Sequence, residues 1–400
     1  MINKNFLWNM VGTTLNSFLS LFLLIIVTRV NGIEMSGSFS FIFTLTLILQ
    51  MFSNYGGRIY QVSDYKNEFL FQEYFGSRVK TSLLSIIFFV IICFFYKFDL
   101  TLSIVAVSLM GLRLIETFSD IFYASFQKNN RLDKVGISLT IKSILILIIF
   151  LVVDVTSKNI KYASIGLLFA AFLTFQFYDY PNIIKYEKCK LKFNNDIYSK
   201  SKYIFLFGII SMLLINVGRL VGMNILNEKD IGYMGILMMI PTVMNLITNF
   251  IIQPEIMNLT NYFKYKDILL LKNKTLNLIK LLFAFSFLLI LIAVSLGPLV
   301  FGFLYILDFN NFRFDFAILI TNGLFSGVSA IYSNVLTIMR NTKVQLFIYM
   351  FMCALNYFLS SFLGTLFGLR GIFMALTLTM LVQTILLFIK YKKELLKFNK

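Results

Sequence analysis

The stretch GISLTIKSILILIIFLVVD, residues 136–154, carries one cation, Lys142, and no carboxylate before its last position, Asp154. As a helix rising 1.5 Å per residue it reaches about 28 Å, close to the roughly 30 Å of a bilayer's hydrocarbon core. A membrane-spanning strand would need only about ten residues of alternating polarity. This run is continuous, so the pattern is that of a helix. Working outward, runs of the same kind recur at 6–30, 37–55, 80–97, 101–126, 160–180, 202–225, 231–253, 276–296, 315–338, 344–367 and 369–389. The run at 101–126 is the least uniform, because Arg113, Glu116 and Asp120 interrupt it. The chain therefore reads as an all-α polytopic membrane protein with about twelve transmembrane helices.

Composition agrees. Of 400 residues, 58% are hydrophobic and 14% charged, against roughly 25% charged in a soluble domain. The net charge of +17 would suggest nucleic acid in a soluble protein. Here its distribution gives a different meaning. If the N-terminus is placed inside, 25 Lys and Arg fall in inner segments, 7 in outer loops and four within spans (Arg113, Lys142, Arg219 and Lys280). That asymmetry puts both termini in the cytoplasm, with the basic loops facing anionic membrane lipids and no nucleic-acid role implied. The longest connections, 56–79, 181–201 and 255–275, all face inward, so no separate soluble domain is expected. The first run is too long for a signal core and leads directly into further spans, so it reads as retained.

Histidine is absent, which excludes His-based acid–base catalysis and His metal ligands. Cys93, Cys189 and Cys353 show no paired spacing, so neither a disulfide framework nor a metal site is expected. No cofactor is implied. The 46 Phe and 20 Tyr read as lipid-facing bulk and interfacial anchors.

The chain repeats weakly at its midpoint. Gly12 and Gly37 open the first two runs, and Gly208 and Gly232 open the seventh and eighth. A long inner connection follows in each half. The expected division is a six-helix bundle over 1–180, a basic linker over 181–201 and a second bundle with a cytoplasmic tail over 202–400. With an even number of spans per half, the bundles share orientation and are related by a parallel pseudo-two-fold axis.

A mid-membrane Lys or Arg costs about 2.5–3.5 kcal/mol on the insertion scale, so such residues have a partner or a task. Arg113, Lys142 and Arg219 are the candidates for binding an anion. Arg113, Glu116, Asp120 and Gln127 share one helix face. Two readings of that face stand. In one, Arg113 and Glu116 form a structural ion pair. In the other, the face lines a cavity in which Arg113 binds anion while Glu116 or Asp120 serves a coupling cation. Lys142 has a second reading as a snorkelling side chain. Arg29 and Lys280 read as interfacial. Two uncharged stripes complete the inventory. Asn322, Ser326, Ser329, Ser333 and Thr337 follow one face, and Thr242, Asn245, Asn249 and Gln253 follow another just after Pro241, which is expected to kink its helix. They serve either interhelical hydrogen bonds or a path for a hydroxyl-rich sugar.

The segment Gly57-Arg58-Ile59-Tyr60-Gln61-Val62-Ser63-Asp64, followed by Tyr74 and Arg78, is similar to the first inner loop of the Wzx-type polysaccharide repeat-unit flippases. These belong to the multidrug/oligosaccharidyl-lipid/polysaccharide exporter superfamily. Ser119-Asp120-Ile121-Phe122-Tyr123 to Gln127, with Arg131–Gly136, is a second match, and Gln253-Pro254 a generic third. The resemblance covers essentially the whole chain. It implies two six-helix bundles around a cationic cavity that opens alternately to each side of a bacterial cytoplasmic membrane. The implied substrate is an undecaprenyl-diphosphate-linked oligosaccharide for O-antigen or capsule, moved without catalysis. Polymerase and glycosyltransferases are implied partners, and coupling to a proton or sodium gradient is left unassigned. For the inner-loop motif Arg58, Gln61, Ser63 and Asp64 three readings stand: Arg58 pairs with Asp64 across the loop, Arg58 meets the diphosphate on entry, or the motif is purely structural. A drug or other lipid exporter of the same superfamily is the runner-up, though its substrates are mostly cations. A glycan polymerase would need a large outer loop that the sequence lacks.

Overall fold

A computed structural model describes residues 4–64, 68–252, 255–339 and 341–398. Within these, helices account for nearly all of the chain and no strand occurs. Eleven helices are long and apolar enough to cross a membrane. The last of them, Thr342–Phe398, is two helices joined at a kink, because Gly368 interrupts it at φ 58°, ψ −137°, a conformation open essentially to glycine alone. Counting its two arms, 342–367 and 369–398, the described residues hold twelve spans, as the run lengths predict.

The helices are α1 (Lys4–Asn31), α2 (Ile33–Asn54), a short α3 (Gly57–Ser63), α4 (Phe71–Tyr96), α5 (Leu100–Lys128), α6 (Leu132–Ser157) and α7 (Ile160–Ile183). There follow α8 (Asp196–Ile225), α9 (Glu228–Ile252), a short α10 (Ile256–Lys264), α11 (Ile268–Tyr305), α12 (Arg313–Ile338), α13 (342–367) and α14 (369–398). The connections 56–79 and 255–275 each contain one short helix, α3 and α10, so the two halves share that feature as well as the loop length. In α9 the helical bonding breaks at Met238, three residues before Pro241, whose ring blocks the ordinary helical bond there. Helix α11 runs 38 residues, about 57 Å, well past the expected 276–296. Its Asp267 cap accepts the Leu270 N–H at 3.1 Å, starting the helix ahead of Lys272 and Lys274.

By internal packing the chain divides into Met1–Met212 and Leu213–Lys400, with the boundary inside α8. In the first unit α1 lies along α6, α5 packs on α2 and α7, and α4 packs on α2. The α1–α6 crossing is backbone against backbone. A Cβ on Gly12 would lie 2.2 Å from the Gly136 carbonyl oxygen, and one on Gly136 would lie 2.1 Å from the Trp8 backbone. At the other end of the pair, Asn31 Nδ2 donates to both oxygens of the buried Asp154 at 2.8 Å. Gly208, the counterpart of Gly12 in the sequence repeat, faces open space. In the second unit α12 is central, contacting α9, α11 and the α13–α14 pair. Its apolar core joins Met244, Leu282, Leu324, Val328 and Tyr332. Large apolar side chains such as Phe94, Phe95, Leu299 and Phe303 lie exposed on α4 and α11, as lipid-facing helices require.

Candidate functional site: a two-cation, one-carboxylate centre

Helix α5 positions the site. Asp99 caps it by accepting the Leu102 N–H at 2.9 Å, and the helix runs unbroken through its charged residues to Lys128. The face holding Arg113, Glu116, Asp120 and Gln127 is used at three levels.

At the first level, Arg113 Nη1 donates to Glu116 Oε2 at 2.7 Å, and Lys142 Nζ of α6 lies 3.4 Å from Oε1. Gln50 of α2 donates its amide to Oε2 at 3.3 Å. The Arg113 guanidinium lies over the Phe43 ring at 4.3 Å, a cation–π contact that gains strength when desolvated. Arg113 is 5% exposed and Lys142 2%. Lys142 is therefore buried on Glu116 rather than snorkelling. Two cations share one carboxylate, and Arg113 Nε and Nη2 have no hydrogen-bond partner.

At the second level, Asp120 faces Arg78 of α4 at 3.9 Å and receives the backbone N–H of Arg58, at the start of α3. Arg78 also donates to the Ser53 carbonyl at 3.3 Å. At the third level, Arg58 Nε donates to Gln127 at 3.0 Å and Gln61 Nε2 to the Ile121 carbonyl at 3.3 Å. The two sequence segments that carry the family resemblance thus pack on each other. The chain reaches α3 by a reversal at Tyr55, Gly56 and Gly57, all at positive φ. Asp64 takes partners separate from those of Arg58. It accepts the backbone N–H groups of Glu68 (2.9 Å) and Phe69 (3.2 Å) and the Tyr74 hydroxyl (3.0 Å), while its own carbonyl accepts from Lys128. Burial raises the Asp64 pKa, but these donors and the nearby Lys128 outweigh it and hold the carboxyl below its ordinary value. The Ser63 side chain and Gln253-Pro254 lie outside the described residues.

Glu116 and Asp120, the two carboxylates singled out from the sequence, are joined by two others. Asp154 and Asp179, which end two of the apolar runs, are 0% and 1% exposed, because α6 and α7 continue past them. Asp179 accepts from Ser119 (2.7 Å) and Ser138 (2.5 Å), and Tyr123 meets Ser138 at 2.6 Å. It ends a π turn, Phe175–Asp179, in which the Tyr180 N–H bonds back to the Phe175 carbonyl. Pro181 stands directly after, and its ring forces the preceding turn to widen. Gln50, a lone amide inside an apolar run, is the partner whose sequence signal was available and passed over.

Arg219 lies on the second unit's part of α8, half-buried, and donates to Asn216 at 3.3 Å. The structure therefore brings Arg113 and Lys142 together and places Arg219 in the other unit. Much of the α12 stripe is spent between helices. Ser326 donates to Asn245 at 3.2 Å, Ser329 meets Thr384 at 3.0 Å, and Ser333 and Thr337 hold Gln345. Asn322 is buried with its Nδ2 unpartnered. Thr242 and Asn249 are exposed, and Asn245 is half-buried. Among the described residues no His, Cys, Asp and Glu cluster fit to hold a metal occurs, and the three cysteines are free thiols.

Twelve spans in this order have the fold of solved transporters of the MOP superfamily. The inward-facing structure of a multidrug resistance MATE family transporter of that superfamily superposes with a TM-score of 0.73 at 13% identity, covering 98% of this chain and 99% of that one. Lipid II flippase MurJ, in an inward closed conformation, gives 0.73 at 17% identity, covering 98% and 89%. In sequence the chain is 24% identical over 404 residues to the capsular polysaccharide biosynthesis protein CapF of Staphylococcus aureus, covering 98% of this chain and 99% of the relative. No family model matches the chain. The likeness expected from the Gly57–Asp64 and Ser119–Gln127 segments is thus met in fold and along the full length.

Proposed function

We propose that the protein flips an undecaprenyl-diphosphate-linked oligosaccharide repeat unit from the cytoplasmic to the outer leaflet of a bacterial plasma membrane, for capsule-type polysaccharide. It works by alternating access and carries out no covalent chemistry. The observation that carries the reading is the buried Arg113–Lys142 pair, holding one carboxylate between two cations with donors left open. An anionic head group supplies the acceptors such donors need, and buried guanidinium–phosphate bonds are among the stronger polar contacts. The full-length likeness to a capsular polysaccharide biosynthesis protein, and the fold shared with a lipid II flippase, support a lipid-linked glycan as the cargo. Arg219 serves as a further head-group cation on this reading. Thr242, Asn245 and Asn249 offer hydroxyl and amide groups to the sugars. Both termini lie in the cytoplasm, two six-helix bundles (1–180 and 202–400) are related by a parallel pseudo-two-fold, and polymerase and glycosyltransferases act before and after the flip.

The test is a deletion strain. Lipid-linked repeat units should accumulate on the cytoplasmic leaflet and disappear on complementation. Unchanged surface polysaccharide in the deletion strain refutes the proposal. The superfamily's drug exporters share the fold, and the cationic centre speaks against them. Export of a cationic dye by the purified, reconstituted protein would favour that second reading.

A further inference from the structure

Arg113 and Lys142 share Glu116 as their one carboxylate at ion-pair distance, while Asp120 and Asp179 act on Lys142 only from further off. Hydrogen bonding at the centre does not balance. Arg113 is 5% exposed, yet Nε and Nη2 lack acceptors, and the hydroxyls of Thr117 and Ser143, next to Glu116 and Lys142, are buried and unbonded. The deficit is one of acceptor oxygens, which a diphosphate carries in number. The one carboxylate present already sits on both cations, tethered through Oε2 to Gln50.

We infer that Glu116 is a resident stand-in for the diphosphate. It neutralises Arg113 and Lys142 while the protein is empty, gives way when the head group binds, and returns to drive the head group off. This rests on the reading of Arg113 and Lys142 as head-group cations. Two buried cations without an internal competitor would hold a multivalent anion too tightly for rapid release, since Coulomb attraction grows steeply as the local dielectric falls. A carboxylate on a short tether moderates that attraction at both ends of the cycle. Glu116 is in this sense a positioning and release residue, and its removal has opposite effects on binding and on turnover.

The experiment is thermal unfolding of the full-length protein in phosphatidylcholine nanodiscs, with inorganic pyrophosphate or with sodium chloride at matched ionic strength. Wild type should show a small upward shift with pyrophosphate. Glu116→Gln should start lower, because two buried cations lose their counter-ion, and should recover with pyrophosphate by binding linkage. Its pyrophosphate affinity should be at least about tenfold tighter than wild type, with slower glycan export in cells. The double variant Arg113→Gln/Glu116→Gln should lose the response. Glu116→Asp keeps the charge and draws the carboxylate back by one methylene. It should bind several-fold tighter, and it keeps the test open should Glu116→Gln fail to fold. If Glu116→Gln and Glu116→Asp bind no tighter than wild type while Arg113→Gln abolishes binding, the site stands and the competitor is overturned. If neither wild type nor the Glu116 variants respond to pyrophosphate, the head-group reading of the site falls as well. Stabilisation by phosphatidylglycerol nanodiscs without any response to pyrophosphate assigns the centre to surrounding phospholipid and overturns the inference.

Discussion

Replacing the three charges of the centre singly and together separates stability from transport. Arg113→Met removes a 2.7 Å ion pair and the contact with Phe43, but leaves Glu116 with Lys142 at 3.4 Å and Gln50 at 3.3 Å. Breaking a buried pair costs about 3–5 kcal/mol, and the surviving partners put this variant near the lower end, about 3 kcal/mol. Lys142→Met leaves the shorter Arg113 contact intact and should cost less, about 2 kcal/mol. Glu116→Leu strands two cations and should be the worst, about 5 kcal/mol. The singles would then sum to about 10 kcal/mol, yet the triple variant Arg113→Met/Glu116→Leu/Lys142→Met buries no charge and should lie within about 2 kcal/mol of wild type. Equilibrium unfolding of the purified variants in one detergent measures the stabilities, and surface glycan in complemented deletion cells measures export. The expected outcome is a triple variant that folds and does not export. Additive destabilisation would refute the idea that the three charges compensate one another. Normal export by the folded triple variant would refute their role in transport.

Gly136→Val should destabilise by about 3 kcal/mol, because its Cβ would fall 2.1 Å from the Trp8 backbone and the α1–α6 crossing must open. Gly208→Ala, at the repeat counterpart of Gly12 and facing open space, should stay within about 0.5 kcal/mol, and thermal unfolding compares the two. The folded pKa of Asp64 is depressed, so its contribution to holding the 56–70 connection is fully present above the unfolded value near 3.8 and is lost as pH falls through the folded value. Protease cleavage within that connection should rise in acid below that window. It should already be raised at neutral pH in Asp64→Asn, which replaces a three-donor carboxylate by an amide. Equal cleavage in Asp64→Asn and wild type would dismiss the clasp.

Much of this architecture was legible in run lengths. The break at Gly368 fell between two predicted spans, and the interruptions in 101–126 proved to sit on an unbroken α5. Periodicity also grouped Arg113, Glu116, Asp120 and Gln127 correctly, since spacing along one helix is a local property. Their partners were not legible. Gln50, Lys142 and Arg78 come from three other helices, and a single sequence carries no record of which helices adjoin. Asp154 and Asp179 were missed for a related reason. At the end of an apolar run a carboxylate looks interfacial, and only the neighbouring Asn31, Ser119 and Ser138 explain how it stays buried. The long α11 was underestimated because hydropathy reports the hydrocarbon crossing and is silent on where the hydrogen-bonded helix ends.

The π turn at Phe175–Asp179 has a genetic consequence. Such a turn is equivalent to one extra residue threaded into an α-helix, and each residue of an α-helix turns the following ones by about 100°. Asp179 meets Ser119 and Ser138 in that shifted register. Losing one codon anywhere in 175–178 would remove that extra residue and restore ordinary helix with the carboxylate still turned toward both hydroxyls, whereas straightening the turn with all its residues kept would swing it away by about 100°. In this helix the register of the turn, as much as the identity of the side chains, specifies the cluster.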